Sequence, residues 1–319
     1  MFGFNRWRKT IEIVEAPLRR ANNRYDQDET MHVRTARIKG PWHSGMVDFL
    51  KTHEVGGLSF YYRDGFRCDD YTFLKDLPFI TLFHMPYPDA GVNVEPIPVP
   101  DLIGLTRLVA QFKVGHPVNI DQLPQLRSCT MQWQPKLHSV FDAKALQRLQ
   151  ITGLNWQKTD RLADLQSLRN LEVAHSGIRS FAPIAELRNL DRLSLSVCHR
   201  LESLDGIENL RTLRCLHLAE VSKVTSLDRL ASLKNLEVLT IADGREIESV
   251  APLEGLTNLK ALWIAGSKAK IIDGDLTPLT RLPNLAMLTL GNKRHYSHRA
   301  IKKWDWANID TPCKQLERV

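Results

Sequence analysis

From Leu168 to Leu290 one six-residue phrase, Leu-x-x-Leu-x-Leu with occasional Val or Ile, returns at nearly constant intervals. Its copies are Leu168-x-x-Leu171-x-Val173, Leu190-x-x-Leu193-x-Leu195, Leu213-x-x-Leu216-x-Leu218, Leu236-x-x-Leu239-x-Ile241, Leu259-x-x-Leu262-x-Ile264 and Leu285-x-x-Leu288-x-Leu290. Their starts lie 22, 23, 23, 23 and 26 residues apart. Each of the first five is followed by one more apolar residue: Ile178, Leu201, Val224, Ile247 and Ile271. Recurrence at such a period marks stacked units, none of which can bury its apolar face without its neighbours. The chain is therefore expected to be a solenoid.

The spacing also sets what each unit looks like. In Leu-x-x-Leu-x-Leu the last two apolar residues alternate, so they point to one side of a short strand while the residues between them point to the other. The return segments are alike as well, among them Ser203–Leu210, Ser226–Leu233, Ser249–Leu256 and Asp275–Leu282. Each opens on Ser or Asp, good helix N-caps, and Pro183, Pro252 and Pro278 stand near the expected helix starts. Returns this short hold single turns or 3-10 pieces. Thin returns behind a parallel sheet predict an α/β solenoid shaped as a curved horseshoe. The sheet lines its concave side, short 3-10 or single-turn helices its convex side, and both ends are capped.

Looser copies extend the array backwards through Leu146, Leu126 and Leu105 to Leu77-x-x-Ile80-x-Leu82 and Val55-x-x-Leu58-x-Phe60. This predicts a repeat region over 55–292 with about eleven phases. Between Leu82 and Leu105 the interval is long and carries Pro86, Pro88, Pro96, Pro98 and Pro100, which reads as an excursion over 86–100. Residues 1–54 are expected to form an N-terminal cap, with strands at Ile11–Val14 and Met31–Arg34. A helix is expected behind Ser44, ending at Gly56–Gly57. Residues 293–319 are expected to form a C-terminal cap, with a helix-compatible Ser297–Trp304 and apolar cover from Trp304 and Trp306. Cys129 falls on a core position.

The units Leu187-Arg-Asn-Leu190, Leu233-Lys-Asn-Leu236 and Leu256-Thr-Asn-Leu259, with the return Ala251-Pro-Leu-Glu-Gly-Leu256, carry a family likeness. They resemble the short-repeat leucine-rich class of internalins and phosphatase-regulatory repeat proteins. The resemblance covers residues 100–292 well and 55–100 loosely. It implies a protein-binding scaffold whose concave sheet makes the contacts. Ser176 and Cys198 stand where that family usually has an asparagine, which argues against a continuous asparagine ladder at that position. The family's secretion signal and cell-wall anchor do not appear in this sequence.

The outward strand positions form columns across the expected concave face. One runs Thr130, Gln150, Glu172, Ser194, His217, Thr240, Trp263 and Thr289. The next ends in six small residues: Ala174, Ser196, Ala219, Ala242, Ala265 and Gly291. Small residues there would leave a trough beside an exposed Trp263, and tryptophan is a favoured binding hot spot. His175, Glu220 and Asp243 stand at its edge, with Arg192 further across. The expected partner-binding set is therefore Trp263, His217, Glu172, Arg192, Thr240, His175, Glu220 and Asp243. A second patch of Tyr61 and Phe83, with Phe79, is expected to point out of the first strands. Crowding under concave curvature would select small residues with no ligand, and the aromatics would serve equally as the seat of a cap.

No phosphate loop, nucleophile elbow or paired-carboxylate motif occurs, and Glu172 and His217 fall two strands apart. No catalytic residue, metal ligand or cofactor is expected. The five cysteines show no C-x-x-C spacing, which argues against a disulfide framework or structural zinc. The net charge of +7 sits at the two ends, which read as solvated caps rather than as nucleic-acid or membrane sites. No apolar leader or membrane span is evident, so a cytoplasmic location is expected, with signal-independent export left open. The leading expectation is a bacterial, non-catalytic scaffold that binds another protein, of which a toxin-neutralising immunity protein is a specific form. The alternative is an effector that binds a protein in another cell.

Overall fold

The computed structural model describes residues 6–15, 33–62, 64–68, 70–84, 97–111, 114, 116–154, 160–244, 246–300 and 316–318. The chain divides into two units, Met1–Leu146 and Gln147–Val319.

In the first unit the strands are β1 (Ile11–Val14), β2 (Thr35–Ile38), β3 (Gly57–Phe60), β4 (Leu82–His84), β5 (Arg107–Ala110) and β6 (Ser128–Gln132). They lie side by side in chain order. β1 runs antiparallel to β2, and every later pairing in this unit is parallel. In the second unit the order is β7 (Arg148–Thr152), β8 (Asn170–Ala174), β9 (Arg192–Ser196), β10 (Cys215–Ala219), β11 (Val238–Ala242), β13 (Ala261–Ala265) and β15 (Met287–Leu290). A small parallel pair, β12 (Glu246–Ile247) and β14 (Lys270–Ile271), forms a second ridge where the apolar residue after each strand turns inward.

The returns are short, as their length requires. They include 3-10 turns at Ala182–Ile184, Ile207–Asn209, Asp228–Ser232 and Ala251–Leu253, and a four-residue helix α2 at Thr277–Thr280. The opening Ser and Asp make side-chain turns ahead of the returns and not the expected helix caps, since the N-cap positions fall one residue later, on Val250 and Leu276, and make no side-chain cap. Ser249 Oγ accepts from the Ala251 N–H at 3.0 Å, and Asp275 Oδ1 from the Thr277 N–H at 2.9 Å.

Neighbouring repeats are pegged together by a shared carbonyl. Within each unit two successive N–H groups at a strand entry donate to one carbonyl of the preceding repeat, as Asp191 and Arg192 do to Arg169, and Arg214 and Cys215 to Asp191. Asparagine side chains add a second peg, though not at the family's usual position. Asn189, Asn235, Asn258 and Asn284 donate through Nδ2 to the carbonyls of Gln166, Arg211, Lys234 and Thr257 at 2.8–2.9 Å. At the usual position Ser176 donates to the Leu154 carbonyl at 3.0 Å, and Cys198 sits behind it as a buried thiol. The inward leucines, from Leu168 to Leu290, are buried throughout. Cys129 is fully buried, and burial pushes its thiol up to about 12.

The shared carbonyls also correct the early register. Arg34, Gly56, Thr81 and Thr106 occupy equivalent positions, each accepting from the next repeat. The repeats therefore open on Val33, Val55, Ile80 and Leu105, not on Leu77. Leu77 and Ile80 are both apolar and three residues apart, so either fits the first position. A slip of three reverses which residues face inward. Phe83 pairs in register with Leu58 and Leu108 and is fully buried, with its ring edge-on to Phe60 at 5.6 Å. It is a core residue and not an outward contact. In this register the long interval disappears, since Val55, Ile80 and Leu105 are evenly 25 residues apart. Val99–Asp101, inside the expected excursion, is an ordinary 3-10 return, while 85–96 lies outside the described residues.

The expected cap boundaries shift for the same reason. The second strand falls at Thr35–Ile38, just after the expected Met31–Arg34, and pairs parallel with β3 as a repeat of its own. Helix α1, Gly45–Thr52, is its return. Ser44 makes no side-chain cap; His43 Nδ1 accepts the Gly45 N–H instead. The helix ends at Thr52 with His53 as its C-cap, ahead of the expected Gly56–Gly57, and Glu54 follows with φ of +52°. At the other end His298–Ala300 is a strand, β16, antiparallel to β17 (Leu316–Arg318), where a helix was expected. Tyr296 is buried at this end and accepts the Ile271 N–H at 2.8 Å. Trp304 and Trp306 lie outside the described residues.

Phe83→Ala is expected to destabilise the protein by about 3–5 kcal/mol in urea unfolding, the range for a buried phenylalanine. An outward Phe83 would change stability by less than about 0.5 kcal/mol.

Candidate functional site

The second unit carries one open face of side chains, and its register is fixed residue by residue. Gln150, Glu172, Ser194, His217, Thr240, Trp263 and Thr289 stand in line, each paired with the next. Thr152, Ala174, Ser196, Ala219, Ala242 and Ala265 form the adjacent line. Strands are about 4.8 Å apart, so Glu172 and His217, with Ser194 between them, are about 10 Å apart at the backbone. The structure aligns them without bringing them into contact, and it does the same for His217 and Trp263.

Trp263 is 37% exposed and is flanked by Thr240 and Thr289. The Thr289 hydroxyl is buried without a hydrogen-bond partner. His217 is partly buried, and that desolvation lowers its pKa, so its imidazole is neutral near pH 7. Arg192 is less available than its position suggests, because its Nε lies 3.4 Å from Asp191 Oδ2.

Asp191 belongs to a row of alternating charge that the expected set omitted. Arg214 lies 3.7 Å from Asp191 and 2.8 Å from Glu237, and Lys260 is 3.4 Å from Glu237. Hydrogen bonding from Arg214, then its charge, holds the Glu237 carboxyl below its ordinary range. The signal was in the sequence: residues 191, 214, 237 and 260 fall at one point of the period with signs −, +, −, +. These charges satisfy one another and frame one edge of the face.

The opposite edge is built differently. His175, Val197, Glu220 and Asp243 follow their strands in the left-handed region, with φ between +52° and +55°. The conformation aims each N–H at the next repeat: His175 donates to Ser196, Val197 to Ala219, Glu220 to Ala242 and Asp243 to Ala265. Gly266 continues the row, and a Cβ there would lie 2.9 Å from the Asp243 backbone. His175, Glu220 and Asp243 are exposed. Glu220 and Asp243 sit side by side on adjacent repeats, and neither has an ion-pair or side-chain hydrogen-bond partner among the described residues.

The first unit's outward face is closed where aromatic contacts were expected. Leu82 is fully buried although it points outward, and Ser59 is only 9% exposed. Tyr61 is half-buried at the end of β3 under the Arg37 guanidinium, 5.7 Å from its ring centre. Phe79 lies in a turn, not a strand, with the Lys51 ammonium over its ring. His84, in line with Ser59, has a buried Nε2 without a partner. Burial, and then the charges of Arg37 and Arg107, lower its pKa to about 4. Behind this unit a shallow cavity of about 700 Å³ is lined by Trp42, Lys51, Asp70, Phe73 and Lys75, with Trp42 stacked on Phe73 at 3.8 Å. Among the described residues no group of three or more His, Cys, Asp or Glu is placed to hold a metal ion. No described helix is long and apolar enough to cross a membrane.

A parallel strand, a 3-10 return and a carbonyl peg, repeated every 20 to 26 residues, decide the fold. It is a leucine-rich repeat fold. No protein-family model matches the sequence, and no curated protein matches it. Solved leucine-rich repeat structures do. An internalin of Listeria monocytogenes str. 4b F2365 is 15% identical, with a TM-score of 0.49 over 82% of this chain and 84% of that one. Internalin C2 of the same strain is 24% identical, with a TM-score of 0.41 over 59% of this chain and 72% of its own. A leucine-rich repeat protein of Leptospira interrogans is 17% identical, with a TM-score of 0.42 over 80% and 76%.

Two outcomes follow for this leucine-rich repeat. Val197 is β-branched and left-handed, a conformation costing about 1–2 kcal/mol. Val197→Asn is expected to raise stability by about 1 kcal/mol in urea unfolding, because asparagine tolerates that region. Unfolded, His84 takes up its proton at its ordinary 6.5, but folded only at about 4. Between those values the unfolded chain holds the extra proton, so His84 erodes stability as pH falls through that window, by up to about 3 kcal/mol. His84→Gln is expected to flatten this part of the pH dependence of the urea midpoint, with no change above pH 7.

Proposed function

We propose that this leucine-rich repeat protein is a non-catalytic scaffold that binds another protein on the outward face of β8 to β15. The observation that carries the proposal is Trp263, a large aromatic at the centre of β13 that stays 37% exposed on the outward face. Tryptophan is enriched among the residues that dominate binding energy, and it supplies much contact area at little conformational cost. Thr240, His217 and Glu172 extend the contact along the same line, and the small residues beside them allow a partner's backbone to approach. The partly buried, neutral His217 suits a contact that desolvates it further.

A narrower form of the proposal is neutralisation of a bacterial toxin or effector in the cytoplasm, which needs only that the partner's working surface be covered. Growth restored by co-expression with the captured partner would support it. Unchanged growth would remove the narrower form alone.

The broader proposal is tested by affinity capture with the wild type, Trp263→Ala and Ile103→Ser. Ile103 is exposed but lies elsewhere, in a turn of the first unit. A partner held by the wild type and Ile103→Ser is expected to weaken tenfold or more on Trp263→Ala, the loss of at least about 1.4 kcal/mol typical of an anchor. Equal retention by Trp263→Ala would discard this face.

A further inference from the structure

We draw no further inference here: the strongest candidate, the shallow cavity between helix α1 and the 3-10 turn at Thr72–Asp76, is lined by the stacked Trp42 and Phe73 and by exposed Lys51, Lys75, Asp70 and Asp76, whose charges cancel, and nothing in the structure shows what covers it.

Discussion

Within each unit, at strand entry after strand entry, a single carbonyl accepts from two successive N–H groups of the next repeat. In the second unit that bond recurs from Gln147 to Lys260. It sets the pitch, and everything else on the repeat is placed relative to it. The inward leucines meet because the peg aligns them. The outward residues form straight columns for the same reason, so a function spread over seven strands needs no loop to assemble it. The asparagine side chains reinforce the peg one residue before the leucine that opens each strand. They satisfy return-segment carbonyls that would otherwise be left without a partner.

How much of this the sequence discloses depends on how strongly one register is preferred over its neighbours. Between Leu168 and Leu290 the first, fourth and sixth positions are all apolar and the residues between them are mostly polar. Only one frame buries them, and the columns through Glu172, His217 and Trp263 could be written down in advance. Around Leu77 the pattern is ambiguous, because Leu77, Ile80, Leu82 and Phe83 are apolar at overlapping spacings. The choice of frame there decided whether Phe83 was core or surface. At the amino end, Ala36 and Ile38 are weak inward residues, so the strand that carries them was legible only as a neighbouring polar-apolar alternation. The last layer was obscure for a different reason. Tyr296 is buried there with its hydroxyl accepting the Ile271 N–H, and no periodicity reports such a bond.

The two edges of the second unit's face show how a repeat separates structural from available charge. Residues just before β9, β10, β11 and β13 alternate in sign with the period, and those four charges pair with one another. Single exposed ion pairs contribute little, but several in series hold their neighbours in fixed rotamers. Residues just after each strand are constrained by backbone. The left-handed turn is required to hand an N–H to the next repeat, and its side chain is left to project with little local packing. That position is therefore free to vary in chemistry at a fixed conformational cost, and His175, Val197, Glu220, Asp243 and Gly266 differ widely there.

A position with a fixed backbone cost and a free side chain is a natural place for specificity. If stability alone decided its occupants, glycine or asparagine would fill it throughout, since either removes strain of about 1–2 kcal/mol per residue. Val197 shows that strain is tolerated without evident electrostatic purpose, so strain by itself points to nothing. At Glu220 and Asp243 the same left-handed position carries a carboxylate on neighbouring repeats, so the backbone fixes where the side chain stands and the choice of residue alone fixes its chemistry.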